Sequence, residues 1–212
     1  MKMASNQWIF HQDMDAVQYL MASDARLAAL IKEIGDYTLV LREDYFASLA
    51  RAIIGQQLSV KAVETIWMRT VHLCGGQVGP ESLTELTEEQ LQGAGLSKAK
   101  VSYLWDLQQK ILAGELCFKE ICHLSDEEVV TALTRVKGIG RWTAEMFLIF
   151  SLGRSNVWAV DDVGLRRAVK WLYRLDETPT GNEMKSYGTR WSPYSSVASL
   201  YLWEAINRGL VK

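Results

Sequence analysis

The chain has little cysteine, little proline and no surplus of positive charge. Its three cysteines, Cys74, Cys117 and Cys122, are an odd number without CxxC spacing, so neither a disulfide framework nor a zinc or iron–sulfur ligand set is indicated. Three prolines in 212 residues leave room for long uninterrupted helices. No apolar run approaches the ~20 residues that a membrane-spanning helix needs. The opening stretch MKMASNQWIFHQDMD also lacks a signal-peptide pattern. A soluble, intracellular protein with no membrane partner is expected. A formal net charge of −2 does not mark a generically basic nucleic-acid binder. The average hides a local reversal: in residues 135–170, Arg135, Lys137, Arg141, Arg154, Arg166, Arg167 and Lys170 face only Glu145, Asp161 and Asp162. A basic surface can therefore persist there.

What is present is helix-forming. Apolar residues make up 49% of the chain, and they recur at helical spacing among Leu, Ala, Glu, Lys and Gln. The fold expected is all-α, without a β-hairpin. Two short helices end near Gly35, and a third, from about Glu43, stops at Gly55-Gln56-Gln57-Leu58. Ser59 and Ser97 read as N-caps, and Thr87–Gln90 and Ser125–Glu128 have capping-box spacing. A short helix is expected around Ser82–Leu86. Ser192 as N-cap with Pro193 at the first position announces the last helix. A compact two-lobed helical bundle follows, a single domain over 1–212. Lobe A comprises about 1–42 plus 136–212, lobe B about 43–135, with a groove between them.

The most informative stretch runs from Val136 to Ala168. Gly138 and Gly140 flank Ile139, permit left-handed backbone angles and leave main chain uncovered. A helix starts at Arg141, so the free N–H groups of the turn suit a phosphate oxygen. After that helix come Asp161 and Asp162. Either carboxylate could cap the following helix, whose amides favour an anion. Capping is the role read for Asp161.

VKGIGRWTA followed by VWAVDDVGLRR resembles the helix-hairpin-helix DNA glycosylase superfamily, with its LPGxGxxTA hairpin and later aspartate. GQQLS, the GLS-x-x-K stretch at Gly95–Lys100, DDVGLRR and W-x-P-Y at Trp191–Tyr194 resemble its 3-methyladenine DNA glycosylase II branch, the AlkA type, without the N-terminal β-rich domain of larger members. The resemblance implies a helix-hairpin-helix fold and a partner, damaged double-stranded DNA, from which a nucleotide is flipped. Gly138, Ile139, Gly140, Arg141 and Thr143 would hold the backbone. Gln57, with Leu58 and Ser59 beside it, would fill the gap the nucleotide leaves. Asp162 matches the catalytic aspartate. Trp142, Trp203 and Met146 match the base pocket, where cationic purines gain from aromatic faces. No cofactor is required by the resemblance, although a monovalent cation at the backbone of Gly138 and Gly140 belongs to it.

Cleaving an N-glycosidic bond builds oxocarbenium character on the sugar, which a fixed anion stabilises. An N3- or N7-alkylated purine is already cationic and leaves without a second, protonated carboxyl. Lyase members carry a nucleophilic lysine at the second position after the hairpin; here it is Trp142. The implied activity is monofunctional base excision repair of alkylated purines of the 3-methyladenine and 7-methylguanine type, by a monomer that in a bacterium is cytoplasmic and nucleoid-associated. The alternatives are a glycosylase for another lesion such as hypoxanthine, or a non-catalytic lesion-binding module. Ser195 departs from the pattern, standing where relatives commonly carry arginine.

Overall fold

The computed structural model describes residues 3, 4 and 6–211, the first two by backbone alone. Met1, Lys2, Ser5 and Lys212, which the single-domain reading includes, lie outside the described residues. The order is β1 (Met3–Ala4), β2 (Gln7–Phe10), α1 (Asp15–Ser23), α2 (Ala25–Ile34), β3 (Tyr37–Val40), α3 (Tyr45–Gly55) and α4 (Val60–Leu73). It continues with α5 (Pro80–Thr84), α6 (Glu88–Gly93), α7 (Lys98–Leu112), α8 (Phe118–Ile121), α9 (Asp126–Thr134), α10 (Arg141–Phe150), α11 (Val163–Tyr173), α12 (Gly181–Trp191) and α13 (Ser195–Asn207).

Side-chain caps start most of these helices. Ser59, Thr87, Ser97 and Ser125 each accept from a first-turn amide, and Thr87 and Ser125 complete capping boxes with Gln90 and Glu128. The helix expected at Ser82–Leu86 begins earlier, because Pro80 takes the first position and Ser82 bonds back to the Gly79 amide. The last helix also differs from expectation. Ser192 closes α12, donating its N–H to Gly188 O at 2.9 Å, a cis bond joins it to Pro193, and α13 starts at Ser195. A capping box at Thr180 and Glu183 launches α12 through Trp191, which leaves Ser192 at its end.

The architecture is helical apart from one antiparallel sheet of order β1-β2-β3, which the sequence reading did not anticipate. Gln7 pairs with Val40 and Phe10 with Tyr37. Trp8 and Phe10 point inward while Gln7 is exposed, an alternation too short to register as a strand. Its partner β3 arrives only after two helices.

The chain divides into two units, one of Met1–Leu41 with Leu148–Lys212 and one of Arg42–Phe147. Residues 136–147, assigned to lobe A from sequence, belong to the second unit. In the first unit α13 is central: it packs on α1, α2, α11 and α12, and every residue from Ser195 to Leu202 is buried. Serines fit this crowded helix by bonding backbone. Ser196 Oγ accepts from Val157 N at 2.8 Å, and Ser195 Oγ donates to Gly188 O at 3.0 Å. Ser195 is thus buried inside this unit. In the second unit α3, α5 and α6 pack on α7, with Leu49, Ile53, Leu83, Leu91, Leu104 and Leu107 at the centre.

Asp24 ties four helices of the first unit together. Its Oδ1 caps α2, accepting from Arg26 N and Leu27 N at 3.0 Å. Its Oδ2 accepts from Tyr173 Oη, Arg190 Nη1 and Trp191 Nε1. Burial pushes this carboxyl up, but the Tyr173 hydroxyl, the Leu27 amide, Arg190 and Trp191 together hold it below the usual aspartate range. Its stabilisation is therefore complete above the unfolded pKa of about 3.9 and is lost as pH falls through the lower folded value. Asp24→Asn is expected to cost about 2 kcal/mol at pH 7. In urea titrations the gap between variant and wild type should close below about pH 4.

Candidate active site and DNA interface

Between α9 and α10 the chain turns on Val136, Gly138 and Ile139. Val136 and Ile139 are buried, so side chains pin the inner face of the turn and main chain forms the outer one. Gly138 has φ 79°, and a Cβ there would lie 2.2 Å from Tyr103 Cδ2. Glycine is required on both counts. Gly140 differs from expectation: it is not among the positive-φ residues, and a Cβ on it would meet nothing within 4 Å.

Three side chains of the second unit hold this turn. Gln56 Nε2 donates to Gly138 O at 2.7 Å, Asp106 Oδ2 accepts from Lys137 N at 2.9 Å, and the Tyr103 ring fills the space beside Gly138. Burial pushes the Asp106 carboxyl up, but the Lys137 amide and the ammonium groups of Lys110 and Lys137 outweigh it and hold it low. These contacts explain why residues 136–147 belong with the second unit. Among the described residues, the N–H groups of Gly138 and Gly140 make no hydrogen bond. With the first-turn amides of α10 they form a backbone site suited to an anion.

The corner after α3 is fastened to the same turn. Lys100 Nζ donates to Ile54 O and Gln56 O, each at 2.8 Å, closing the end of α3 while the Gln56 side chain reaches the hairpin. Gln57 is exposed and left-handed at φ 58°, a conformation that costs a non-glycine residue about 1 kcal/mol or more. Leu58, Ser59 and Val60 are exposed after it, Val60 at 87%.

Along α10 the expected site residues separate. Arg141 is held by two carboxylates, Nη1 donating to Glu127 at 3.1 Å and Nε to Glu145 at 3.1 Å. The hydrogen bond with Glu127 above all raises its pKa. Its charge is thus largely balanced within the unit, which the count of basic residues did not reveal. Thr143 is buried, Trp142 is 47% exposed, and Met146 follows half-buried one turn on.

In the first unit, Asp162 is the N-cap of α11. Its Oδ1 accepts from Leu165 N at 2.7 Å and from Trp203 Nε1 at 3.3 Å, and the residue is 7% exposed. Asp161, expected to do the capping, is exposed. The helix phase explains the exchange: Asp162 stands three residues before Leu165, whose side chain is fully buried. The Trp203 ring is half-buried and lies 5.4 Å from that of Phe150, tilted by 35°.

Residues 50–193 match the family described as HhH-GPD superfamily base excision DNA repair protein. The chain belongs to the HhH-GPD superfamily. It is 32% identical to DNA-3-methyladenine glycosylase 1 of Schizosaccharomyces pombe over 88% of this chain and 84% of the relative. A crystal structure of DNA-3-methyladenine glycosidase from Bacillus halodurans superposes with a TM-score of 0.85 at 41% identity, covering 93% of this chain and 92% of that one. The Schizosaccharomyces pombe enzyme Mag1 in complex with abasic DNA gives 0.83 at 32% identity, covering 91% and 96%.

In this HhH-GPD chain, Gln56, Lys100, Tyr103 and Asp106 support the hairpin, and sequence reasoning assigned none of them a role. Gln56 and Lys100 lie inside the quoted GQQLS and GLS-x-x-K motifs, a signal present but unread. Tyr103 and Asp106 have no local pattern, because they meet the hairpin only through folding. Gly138 O and Gly140 O each already accept a hydrogen bond, from Gln56 Nε2 and Ala144 N. Each carbonyl oxygen keeps a second lone pair beyond that bond. No cluster of three or more His, Cys, Asp or Glu suited to a metal occurs among the described residues.

The two hairpin glycines are expected to respond differently to alanine. Gly138→Ala should lose about 2 kcal/mol or more in chemical denaturation, from overpacking against Tyr103 and positive φ. Gly140→Ala should stay within about 0.5 kcal/mol of wild type. Equal losses at both positions would contradict this assignment.

Proposed function

We infer that this protein is a base excision repair DNA glycosylase that flips and hydrolytically removes alkylated purines. The observation that carries the reading is Asp162, a buried carboxylate fixed at the start of α11 by an amide and an indole N–H. Membership of the HhH-GPD superfamily and relatives named as 3-methyladenine glycosylases support it. The abasic DNA bound by the Schizosaccharomyces pombe neighbour is the product such a reaction leaves.

A fixed anion lowers the barrier by stabilising the positive charge that develops on the sugar, and a carboxylate can orient the attacking water. The bond between C1′ and the base nitrogen breaks, the base leaves with the bonding pair, and water oxygen replaces it at C1′, its surplus proton passing to solvent. A purine alkylated at N3 or N7 departs neutral, so no second acid is needed. Trp142, at the position where lyase members carry lysine, offers no amine for a Schiff base, so the enzyme is monofunctional.

The other site residues take separate tasks. The Gly138 and Gly140 amides receive a backbone phosphate, independent of base sequence. Ile139 and Thr143 are buried and act through main chain, and Arg141 contributes less charge than its type suggests. Gln57, prearranged in its left-handed turn with Leu58 and Ser59 beside it, fills the gap left by the flipped nucleotide. Trp142, Met146 and Trp203 are the candidate contacts of the extruded base. The protein acts as a monomer on duplex DNA. No helix among the described residues is long and apolar enough to cross a membrane.

Incubation with N-methylated duplex DNA should release free 3-methyladenine and 7-methylguanine, detected by chromatography, and leave strands unbroken and untrapped by borohydride. Affinity for abasic duplex without release of any base would identify a binding module instead. Release of hypoxanthine alone would move the substrate to another lesion.

A further inference from the structure

Gly164 lies in the first turn of α11, two residues after Asp162, and nothing in its backbone demands glycine: it is not among the positive-φ residues. Glycine gives up more backbone freedom than alanine on entering a helix, so its presence calls for another cause. A Cβ built on it would stand 3.1 Å from Asp162 Oδ1, 3.4 Å from Ile206 Cδ1 and 3.8 Å from Trp203 Cδ1. The oxygen it would press on is the one that accepts from Leu165 N at 2.7 Å and Trp203 Nε1 at 3.3 Å.

We propose that Gly164 and Trp203 are positioning residues for Asp162: the missing side chain leaves room for the indole N–H and the Leu165 amide to hold one carboxylate oxygen together, fixing the orientation of the reacting group. The proposal rests on the reading of Asp162 as the catalytic carboxylate. It gives Trp203 a task besides contact with the base. The indole N–H sets the carboxylate, whereas the ring face meets Phe150 at 5.4 Å. An added methyl 3.1 Å from Oδ1 requires that oxygen to give by a few tenths of an ångström, which disturbs the hydrogen bonds it accepts from Leu165 N and Trp203 Nε1. Ile206 bounds the same space from α13.

The test is Gly164→Ala, with single-turnover release of 7-methylguanine, affinity for a duplex carrying an abasic-site analogue, and thermal midpoint measured on each protein. A helix position without a role in the site predicts a higher midpoint and an unchanged rate. The proposal predicts a midpoint equal to or above wild type, affinity within about twofold, and a release rate lower by on the order of tenfold. Trp203→Phe, which keeps an aromatic ring and removes the N–H, should lower the rate in the same direction. Because both changes act through one oxygen, the double variant should lose less than the product of the two single losses. Wild-type release rates in Gly164→Ala, or fully multiplicative losses in the double variant, overturn the proposal. Asp162→Ala separates it from the reading beneath it. Release retained there overturns both, whereas release lost there but full in Gly164→Ala overturns the positioning role alone.

Discussion

One carboxylate oxygen, Oδ1 of Asp162, closes the start of α11 and accepts a hydrogen bond from the indole N–H of Trp203 in α13. The two helices it joins pack directly on each other in the first unit, so this polar contact sits over their shared apolar interface. A carboxylate at a helix N-terminus is stabilised as an anion by the amides it caps. The same arrangement is what stabilising a developing positive charge requires: a fixed anion already oriented before the substrate arrives. With Asp162 as the proposed catalytic carboxylate, stability and chemistry would draw on one group, so its cap role and its proposed catalytic role do not compete.

The hairpin solves a different problem, presenting main chain without letting it move. Side chains hold it from behind: Val136 and Ile139 by burial, Gln56 by its bond to Gly138 O, and Asp106 by its bond to the Lys137 amide. Lys100 extends the same network to the end of α3, so Gln57 departs from a corner whose preceding carbonyl is fixed. That rigidity supports the left-handed backbone of Gln57, since a strained residue persists only where its surroundings over-determine it. α10 runs from Arg141 to Phe150.

The helices were readable where a side chain near the boundary carried the signal, as at Thr87 with Gln90 and Ser125 with Glu128. Reading failed where one local pattern serves two roles. Ser192-Pro193 looks like the opening of a helix and is the close of the preceding one; only the capping box at Thr180, twelve residues earlier, removes the ambiguity. Asp161 and Asp162 are both good cap residues, and the burial of Leu165 decides between them. Gly138 and Gly140 look equivalent until Tyr103 is seen against one of them. The small sheet was invisible because its strands are very short and the β2–β3 pairing is non-local, and the balanced charge of Arg141 because Glu127 and Glu145 meet it on a folded surface. Sequence marked the candidate site residues through local motifs; it carried poorly the residues that hold them still.

The central claim is that backbone recognition and bond cleavage reside in different groups, with cleavage depending on the Asp162 carboxylate. The most direct measurement compares Asp162→Asn with wild type in two readings on one protein sample: affinity for a duplex carrying an abasic-site analogue, and single-turnover base release from methylated DNA. In Asp162→Asn, affinity should stay within about threefold and release should slow by on the order of a hundredfold or more. Release at the wild-type rate with the fold intact would contradict it.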